Sequence, residues 1–383
     1  MDLRNHSLIK KINRAKILNT IRLDSPIARS HIAQKTGLDK KTMTNFVSEF
    51  LKEGLIDEFG KQEQVMGRPF TMLRFRKKLV MGIDIAPDSI RGVLMDLYGK
   101  EHAAHEIQHP LYADRKKILN SVKSIYAALK KAGEIYHGVG ISMPGILDMA
   151  RGSVRDSVNM PSLNGMNFME TFSSFISERL FVEETSRCKA LAEKWLGAGR
   201  GCNDFVIIDI GIGIGSGIIS DRCLYKGAGQ YAGEIGHVVI EKNGDTCRCG
   251  HKGCLEAYLS EKSLLAKFCK AAGRQFNSFE EIDDASVPLL SELIKDSGYR
   301  LGNGIAALVN IINPTLIILN GPIISRFSDL MLPEINQGMK DNALKECYSN
   351  IRIIVSELGK STAPGAASLV LSDIFEVPGY YYV

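Results

Sequence analysis

Long apolar runs are missing from this chain of 383 residues. Its most apolar stretch, Phe205 to Ser220, is broken by Asp209 and by four glycines, so nothing approaches the ~18 uninterrupted apolar residues of a membrane span. An apolar leader is missing too. The opening Met1-Asp-Leu-Arg-Asn-His6 has no h-region and no cleavage site, so a cytoplasmic protein with no membrane partner is expected. Tryptophan occurs once, yet 45% of residues are apolar and 24% are charged. That is an ordinary globular composition, which excludes disordered, collagenous and fibrous classes. The length predicts about two or three domains. A disulfide framework is not expected either, because eight cysteines in a long chain without a secretory leader read as thiols or metal ligands. Cys188, Cys202, Cys223, Cys269 and Cys347 are scattered, whereas Cys247, Cys249 and Cys254 are close together.

Charge is unremarkable in total, +5, but not in distribution. Residues 1–78 hold 17 Lys/Arg against 8 Asp/Glu, a net of +9, and the remainder holds 31 against 35, a net of −4. One end of the chain therefore suits a polyanion and the rest does not.

Within the basic segment, Ser25 is expected to cap a helix that starts at Pro26. Gly37 ends that helix and Asp39 caps the next one. In the second helix Met43, Phe46, Val47, Phe50 and Leu51 form one apolar stripe, leaving Lys41, Thr42, Thr44, Asn45 and Ser48 outward. A short basic, hydroxyl-rich helix after a glycine turn is the pattern of a helix-turn-helix. A solvated helical hairpin is the plainer alternative. Gly67-Arg68-Pro69 leading into Phe70-Thr-Met-Leu-Arg-Phe75 reads as a β-wing, which favours DNA, with Arg68 reaching phosphate or a minor groove. Lys40 and Lys41 join Arg68 as phosphate contacts, and Thr42, Thr44 and Asn45 are candidates for base edges.

Arg76-Lys-Lys78 predicts a boundary between a domain 1–78 and a body 79–383. The strands Leu79–Asp84 and Ile90–Leu97 predict a hairpin, followed by a helix over Ile118–Ala132 and a strand Gly138–Ser142, an α/β arrangement. A second hairpin begins at Phe205 and contains Gly211, Gly213, Gly215 and Gly217. Two such starts predict two related lobes, with a small ligand between them. Alone, the glycines are equally consistent with tight turns.

The most specific pattern is Gly233-Glu-Ile-Gly-His237, then Cys247-x-Cys249-Gly-x3-Cys254-Leu-Glu256. One imidazole and three thiolates suit a closed, tetrahedral, structural Zn²⁺, one per chain. His251, inside the loop, is the rival nitrogen ligand, and three plain thiols are the other alternative. Glu234 and Glu256 flank the cluster, where each carboxylate can accept two hydroxyl hydrogen bonds from a sugar or else be a solvated charge.

Together these residues resemble the ROK family, which groups bacterial sugar-responsive repressors with sugar kinases. The resemblance covers essentially the whole chain: the wing, the Gly211-to-Gly217 loop, Leu224-Tyr-Lys-Gly227 into His237, the cysteine loop, Asn313-Pro314 and Gly365-Ala-Ala367. Length and order are most similar to its xylose-repressor branch. The resemblance implies an α/β actin-like (ribonuclease H-like) two-lobed domain behind a winged helix-turn-helix. Lobe one would span about 79–186 plus a C-terminal helix 367–383, and lobe two about 187–366. It also implies zinc on His237, Cys247, Cys249 and Cys254, and sugar on Glu234, His237 and Glu256.

Departures from the kinase pattern are informative. Where kinases of the family carry Asp-x-Gly-Gly-Thr, this chain has Asp84-Ile-Ala86-Pro87-Asp88. Pro87 removes a backbone donor and Asp88 repels phosphate. A later glycine pair reads Asn320-Gly321-Pro322. Where kinases carry Glu-Asn-Asp, with the Asp as base, this chain has Glu183-Glu184-Thr185, and a threonine hydroxyl is no base near neutral pH. No catalytic residue is therefore expected, and Glu184 and Asn159 are read as altered sugar contacts. The expected function is a sugar-controlled repressor of carbohydrate genes, binding double-stranded operator DNA as a homodimer or dimer of dimers. The alternatives are an ATP-dependent sugar kinase with an attached DNA-binding head, and a sensor of a phosphosugar or protein partner.

Overall fold

The structure is a computed structural model that describes residues 3–62, 70–111, 113–359 and 362–377. Gly67-Arg68-Pro69, and with it the expected Arg68 contact, lies outside the described residues. The chain divides into two compact units, one of Met1–Met143, Met169–Glu183 and Ala366–Val383, the other of Pro144–Phe168 and Glu184–Gly365.

The first unit begins with α1 (Leu3–Asp24), β1 (Ile27–Ala28), α2 (Arg29–Thr36), α3 (Lys40–Lys52), β2 (Ile56–Gln62) and β3 (Phe70–Phe75). The strands form a sheet in the order β1-β3-β2. The α2–α3 turn follows from its residues: Gly37 takes φ +70° and returns its N–H to the Ala33 carbonyl, a left-handed cap that costs glycine no steric strain. Asp39 then accepts the Lys41 and Thr42 amides, both at 2.9 Å. Met43, Phe46, Val47 and Phe50 are buried, so the apolar stripe of α3 faces inward.

The start of α2 corrects the expectation at Ser25. No helix begins at Pro26. Ile27 and Ala28, both buried, pair with Leu73 and Met72 of β3, and the helix starts at Arg29. Burying a β-branched side chain in a sheet outweighed a local cap signal. Ser25 instead shares a 2.7 Å hydrogen bond with the Tyr98 hydroxyl.

Behind this head is a sheet of Leu180–Glu184, Ile135–Met143, Leu79–Ile85, Ser89–Asp96 and Glu101–Gln108, in that order. Leu79–Ile85 is buried throughout, pairing antiparallel with Ser89–Asp96 and parallel with Ile135–Met143. Ile125 and Leu129 of the helix Arg115–Ala132 fill the space where Gly92 lacks a Cβ. The C-terminal helix, expected at 367–383, runs Ala363–Phe375, and Gly140 lets the Ala366 backbone approach the sheet.

The second unit repeats this plan. Its sheet runs Arg352–Val355, Leu316–Asn320, Phe205–Ile210, Ile214–Ser220 and Cys223–Tyr225. Phe205–Ile210 pairs antiparallel with Ile214–Ser220 and parallel with Leu316–Asn320. The expectation of two hairpin-led, related sheets therefore holds. Residues 144–168 belong to this unit, not to the first lobe as expected. Its core joins Val206, Ile208, Ile317 and Leu319 to the long helices Val287–Ile312 and Pro322–Asn342. Among the described residues no helix is long and apolar enough to cross a membrane.

The head is not a free appendage. The Tyr98 hydroxyl accepts the Phe75 N–H at 3.0 Å while holding Ser25. The Phe75 ring lies edge-on to Tyr98 and to Phe375, at 5.4 and 5.7 Å. Asn19 donates to the Phe375 carbonyl at 2.6 Å. Tyr98→Phe keeps the ring contact and removes two hydrogen bonds of about 0.5–1.5 kcal/mol each. Differential scanning calorimetry is expected to show the first unit melting a few degrees lower; an unchanged transition would mean the hydroxyl does not hold the head.

Candidate functional site

His237, Cys247, Cys249 and Cys254 converge so that one ligand atom from each lies within 4.8 Å of the others. Local chain geometry brings them together. His237 ends a 3-10 turn, Ile235–His237. The cysteine loop turns at Gly250, φ +89°, with the Gly250 N–H on the Cys247 carbonyl at 3.0 Å. Cys254 precedes the helix Leu255–Leu259. Cys249 Sγ is 3.7 Å from Cys254 Sγ, and Cys247 Sγ is 3.8 Å from His237 Nδ1. Tetrahedral zinc, with Zn–S of about 2.3 Å and Zn–N of about 2.0 Å, requires edges of roughly 3.8 Å between sulfurs and roughly 3.5 Å from sulfur to nitrogen. His251, the rival ligand, places Nδ1 3.5 Å from Cys249 Sγ.

The thiols are electrostatically unequal. Burial, with Cys249 and Cys247 beside it, pushes Cys254 up to about 12. Burial also opposes ionisation of Cys249, but hydrogen bonds from the His251 amide and ring and from the other two cysteines bring it down to about 6. One negative charge is thus comfortable and three are not, unless a cation balances them.

Glu256, two residues beyond Cys254, has a side chain only 12% exposed. Its Oε2 accepts the Ile214 N–H at 3.0 Å, and a Cβ on Gly213 would sit 2.9 Å from that oxygen. A side chain at 213 would therefore crowd the carboxylate against the loop. Glu256 thus already accepts one backbone amide on Oε2. Its Oε1 faces Arg248 Nη2 at 3.4 Å, and Arg248 Nη1 is 3.5 Å from Asn159 Oδ1. Asn159 is thus brought beside Glu256 and Gly213.

Glu234 precedes the turn that carries His237. Burial raises its pKa, opposed by His237 and Arg187 and reinforced by Glu256. Glu184 ends the strand Leu180–Glu184. Its carboxylate caps the helix Thr185–Leu196, accepting the Ser186 amide at 2.8 Å and the Arg187 amide at 3.2 Å. Burial, with the Glu234 charge adding to it, pushes Glu184 up to about 7 against those amides and the Arg187 guanidinium. Thr185 is the first residue of that helix.

Three basic residues of this region escaped the sequence reading. Arg187 is buried and donates to the carbonyls of Gln230 and Ala232, at 2.7 and 3.0 Å, which holds the segment before Glu234. Lys189 contacts Asp209 at 2.6 Å, and Asn320 donates to the same oxygen at 2.8 Å. Arg248 was visible only as the unspecified residue of Cys-x-Cys.

On the head, Lys40, Lys41, Thr44, Asn45 and Ser48 are exposed along α3, as expected. Thr42 is half-buried and its hydroxyl donates to Asp39 at 2.6 Å, so it serves the cap first. That bond, with the Thr42 and Lys41 amides, holds the Asp39 carboxyl below its usual range.

Comparison with known proteins agrees over nearly the full length. The xylose repressor of Caldicellulosiruptor bescii is 30% identical over 402 residues, covering 98% of this chain and 99% of the relative. The Escherichia coli DNA-binding transcriptional dual regulator NagC is 27% identical over 386 residues, covering 96% of this chain and 94% of the relative. Among solved structures, a ROK family transcriptional regulator, a homolog of the E. coli MLC protein, superposes with a TM-score of 0.82 at 22% identity, over 96% of this chain and 97% of that one. A ROK family glucokinase from Streptomyces griseus, in complex with glucose and AMPPNP, gives 0.64 at 22% identity over 76% of this chain and 98% of its own. These two likenesses show a shared sugar-kinase-like, actin-like fold. With the ROK family model matching residues 80–373, the chain belongs to the ROK family.

Proposed function

We propose that this protein is a sugar-responsive transcriptional repressor, in which 1–78 is a winged helix-turn-helix for double-stranded operator DNA and 79–383 senses a sugar. One observation carries the reading. The exposed face of α3, with Lys40, Lys41, Thr44 and Asn45, sits on the segment of net +9, and the body behind it is net −4. Such a protein meets a polyanion with one end. Repressor names on full-length relatives such as that of C. bescii support it. Arg68 adds a wing contact, and a homodimer or dimer of dimers presents two copies of α3 to a two-fold operator.

The body's site reads as a sugar site: Glu234, His237, Glu256 and Asn159 supply acceptors and donors for hydroxyl groups, with Glu184 behind them. His237, Cys247, Cys249 and Cys254 would hold one structural Zn²⁺, for which the sulfur and nitrogen spacings fit. Four protein ligands leave no open position, so the ion's contribution is to stiffen the loop.

A kinase reading draws on the glucokinase-like fold. Against it, Pro87 and Asp88 stand in the first phosphate loop, and Thr185, at the expected base position, opens a helix. Asp209, at the mouth of the glycine loop, is already neutralised by Lys189.

In fluorescence anisotropy with an operator duplex, Asn45→Ala is expected to weaken binding by about 1–3 kcal/mol and to relax specificity at one base pair. Lys41→Ala weakens all sequences alike and lowers the salt slope by about 1. Equal losses on operator and random DNA for both variants would sink the base-reading role of α3. Metal analysis of the purified protein should return about one zinc per chain, and Cys249→Ser should lose it and melt earlier; an unaltered zinc content in that variant removes Cys249 from the ligand set. D-Xylose and N-acetylglucosamine, the sugars named in the relatives, are expected to shift operator affinity without being phosphorylated when ATP and Mg²⁺ are present. Measurable turnover would favour the kinase.

A further inference from the structure

Arg248 stands between two thiols of the cluster, so a metal held by Cys247 and Cys249 would anchor its backbone on both sides. Its side chain leaves the loop. Nη2 donates to the Ile212 carbonyl at 3.2 Å and approaches Glu256 Oε1 at 3.4 Å, while Nη1 approaches Asn159 Oδ1 at 3.5 Å. Each contact is long for a charge-assisted bond, which is usually about 2.7–2.9 Å. No one of them fixes the guanidinium. What holds it is the convergence of acceptors from three chain segments on one rigid fork whose N–H groups diverge.

Two of those segments are also tied to each other. The Ile214 N–H donates to Glu256 Oε2 at 3.0 Å, and Gly213 passes directly over that oxygen. Cysteine loop, glycine loop and carboxylate therefore close a ring of contacts through Arg248. The ring is sensitive to its anchor, because long bonds from a 42% exposed side chain survive only if the fork starts from a fixed place.

We infer that Arg248 is a positioning residue that transmits occupancy of the metal cluster to the glycine loop Gly211–Ile214 and to Glu256, so that sugar affinity depends on the metal. With the cluster filled, the Cys247–Cys249 backbone is pinned and the guanidinium holds the Ile212 carbonyl and the Glu256 carboxylate in register. With it empty, the anchor moves, the fork releases both, and the Ile214 amide loses its protected partner. The sugar clause rests on the function proposed above; the loop clause does not.

The rival route runs through the backbone from Cys254 to Glu256, and one experiment separates the two. Full-length wild type, Arg248→Ala and Arg248→Lys are loaded with zinc, their metal content is measured, and hydrogen exchange is followed at the Ile214 amide, with the strand Leu316–Asn320 as internal reference. Chelation is expected to speed Ile214 exchange in the wild type by about tenfold. Arg248→Ala, still holding one zinc, should already exchange at the chelated wild-type rate, and chelation should add less than about twofold. Arg248→Lys should recover part of the protection, since an ammonium reaches one acceptor where the fork reaches three. Wild-type protection in zinc-loaded Arg248→Ala, an equal response to chelation in both proteins, or no response in the wild type overturns the inference. Calorimetric titration of D-xylose and N-acetylglucosamine into the same proteins is the second arm, with about tenfold weaker binding expected in Arg248→Ala. Equal sugar affinity in both proteins overturns the link to Glu256. Failure of either sugar to bind zinc-loaded wild type counts against the functional reading, while Ile214 exchange still decides the role of Arg248.

Discussion

Three thiols and an imidazole drawn within 4.8 Å of one another are the constraint on which this site depends. Burial and the neighbouring thiols push Cys254 up to about 12, while hydrogen bonds bring Cys249 down to about 6, so the thiols are electrostatically unequal. The polar groups of the site hang from these ligands. Glu234 lies three residues before His237, Arg248 lies between Cys247 and Cys249, and Glu256 lies two residues after Cys254. A metal held by these ligands would therefore fix the backbone from which those polar groups project. Glycines at 213 and 233 complete the arrangement: each passes where a Cβ would collide, the first with Glu256 Oε2 and the second with the Ser216 carbonyl.

The head obeys a similar logic of attachment. Tyr98 and Phe375 come from distant parts of the first unit, yet both grip Phe75, the last residue of β3. Asn19 adds a bond from α1 to the Phe375 carbonyl, and Arg22 lies 5.7 Å above the Phe375 ring. A DNA-binding face carried on a loose linker would not feel the state of the body. One clamped at a strand end and at a helix end is tied to the sheet that precedes Tyr98.

How much of this was legible depended on the distance between cause and effect along the chain. Gly37 and Asp39 were readable because a left-handed cap and an N-cap are properties of the residues themselves, satisfied within four positions. The cysteine cluster was readable because ligand type and spacing are chemical signals. Ser25-Pro26 misled because Ile27 pairs with Leu73, a partner no local pattern announces. Arg187 and Arg248 stayed hidden for the same reason: their acceptors, Ala232 and Asn159, are 45 and 89 residues away. Glu184 closes the strand Leu180–Glu184 and also caps the helix that follows, a double role that only the helix start at Thr185 reveals.

The repeated hairpin-and-crossover plan is shared with a ROK family glucokinase, which turns attention to the charges at the second hairpin. At the second hairpin Asp209 meets Lys189 at 2.6 Å, both side chains less than 20% exposed, with Asn320 on the same oxygen. A magnesium–nucleotide complex seeking that carboxylate would have to displace the ammonium and leave it unpaired, and breaking a partly buried pair from one side is strongly unfavourable. Arg248 meanwhile holds the Ile212 carbonyl of the glycine loop that follows. Both charges that such a loop would turn toward phosphate are thus spent inside the protein, one neutralising Asp209 and the other bracing Glu256. A loop built this way has little positive charge left to offer a phosphate.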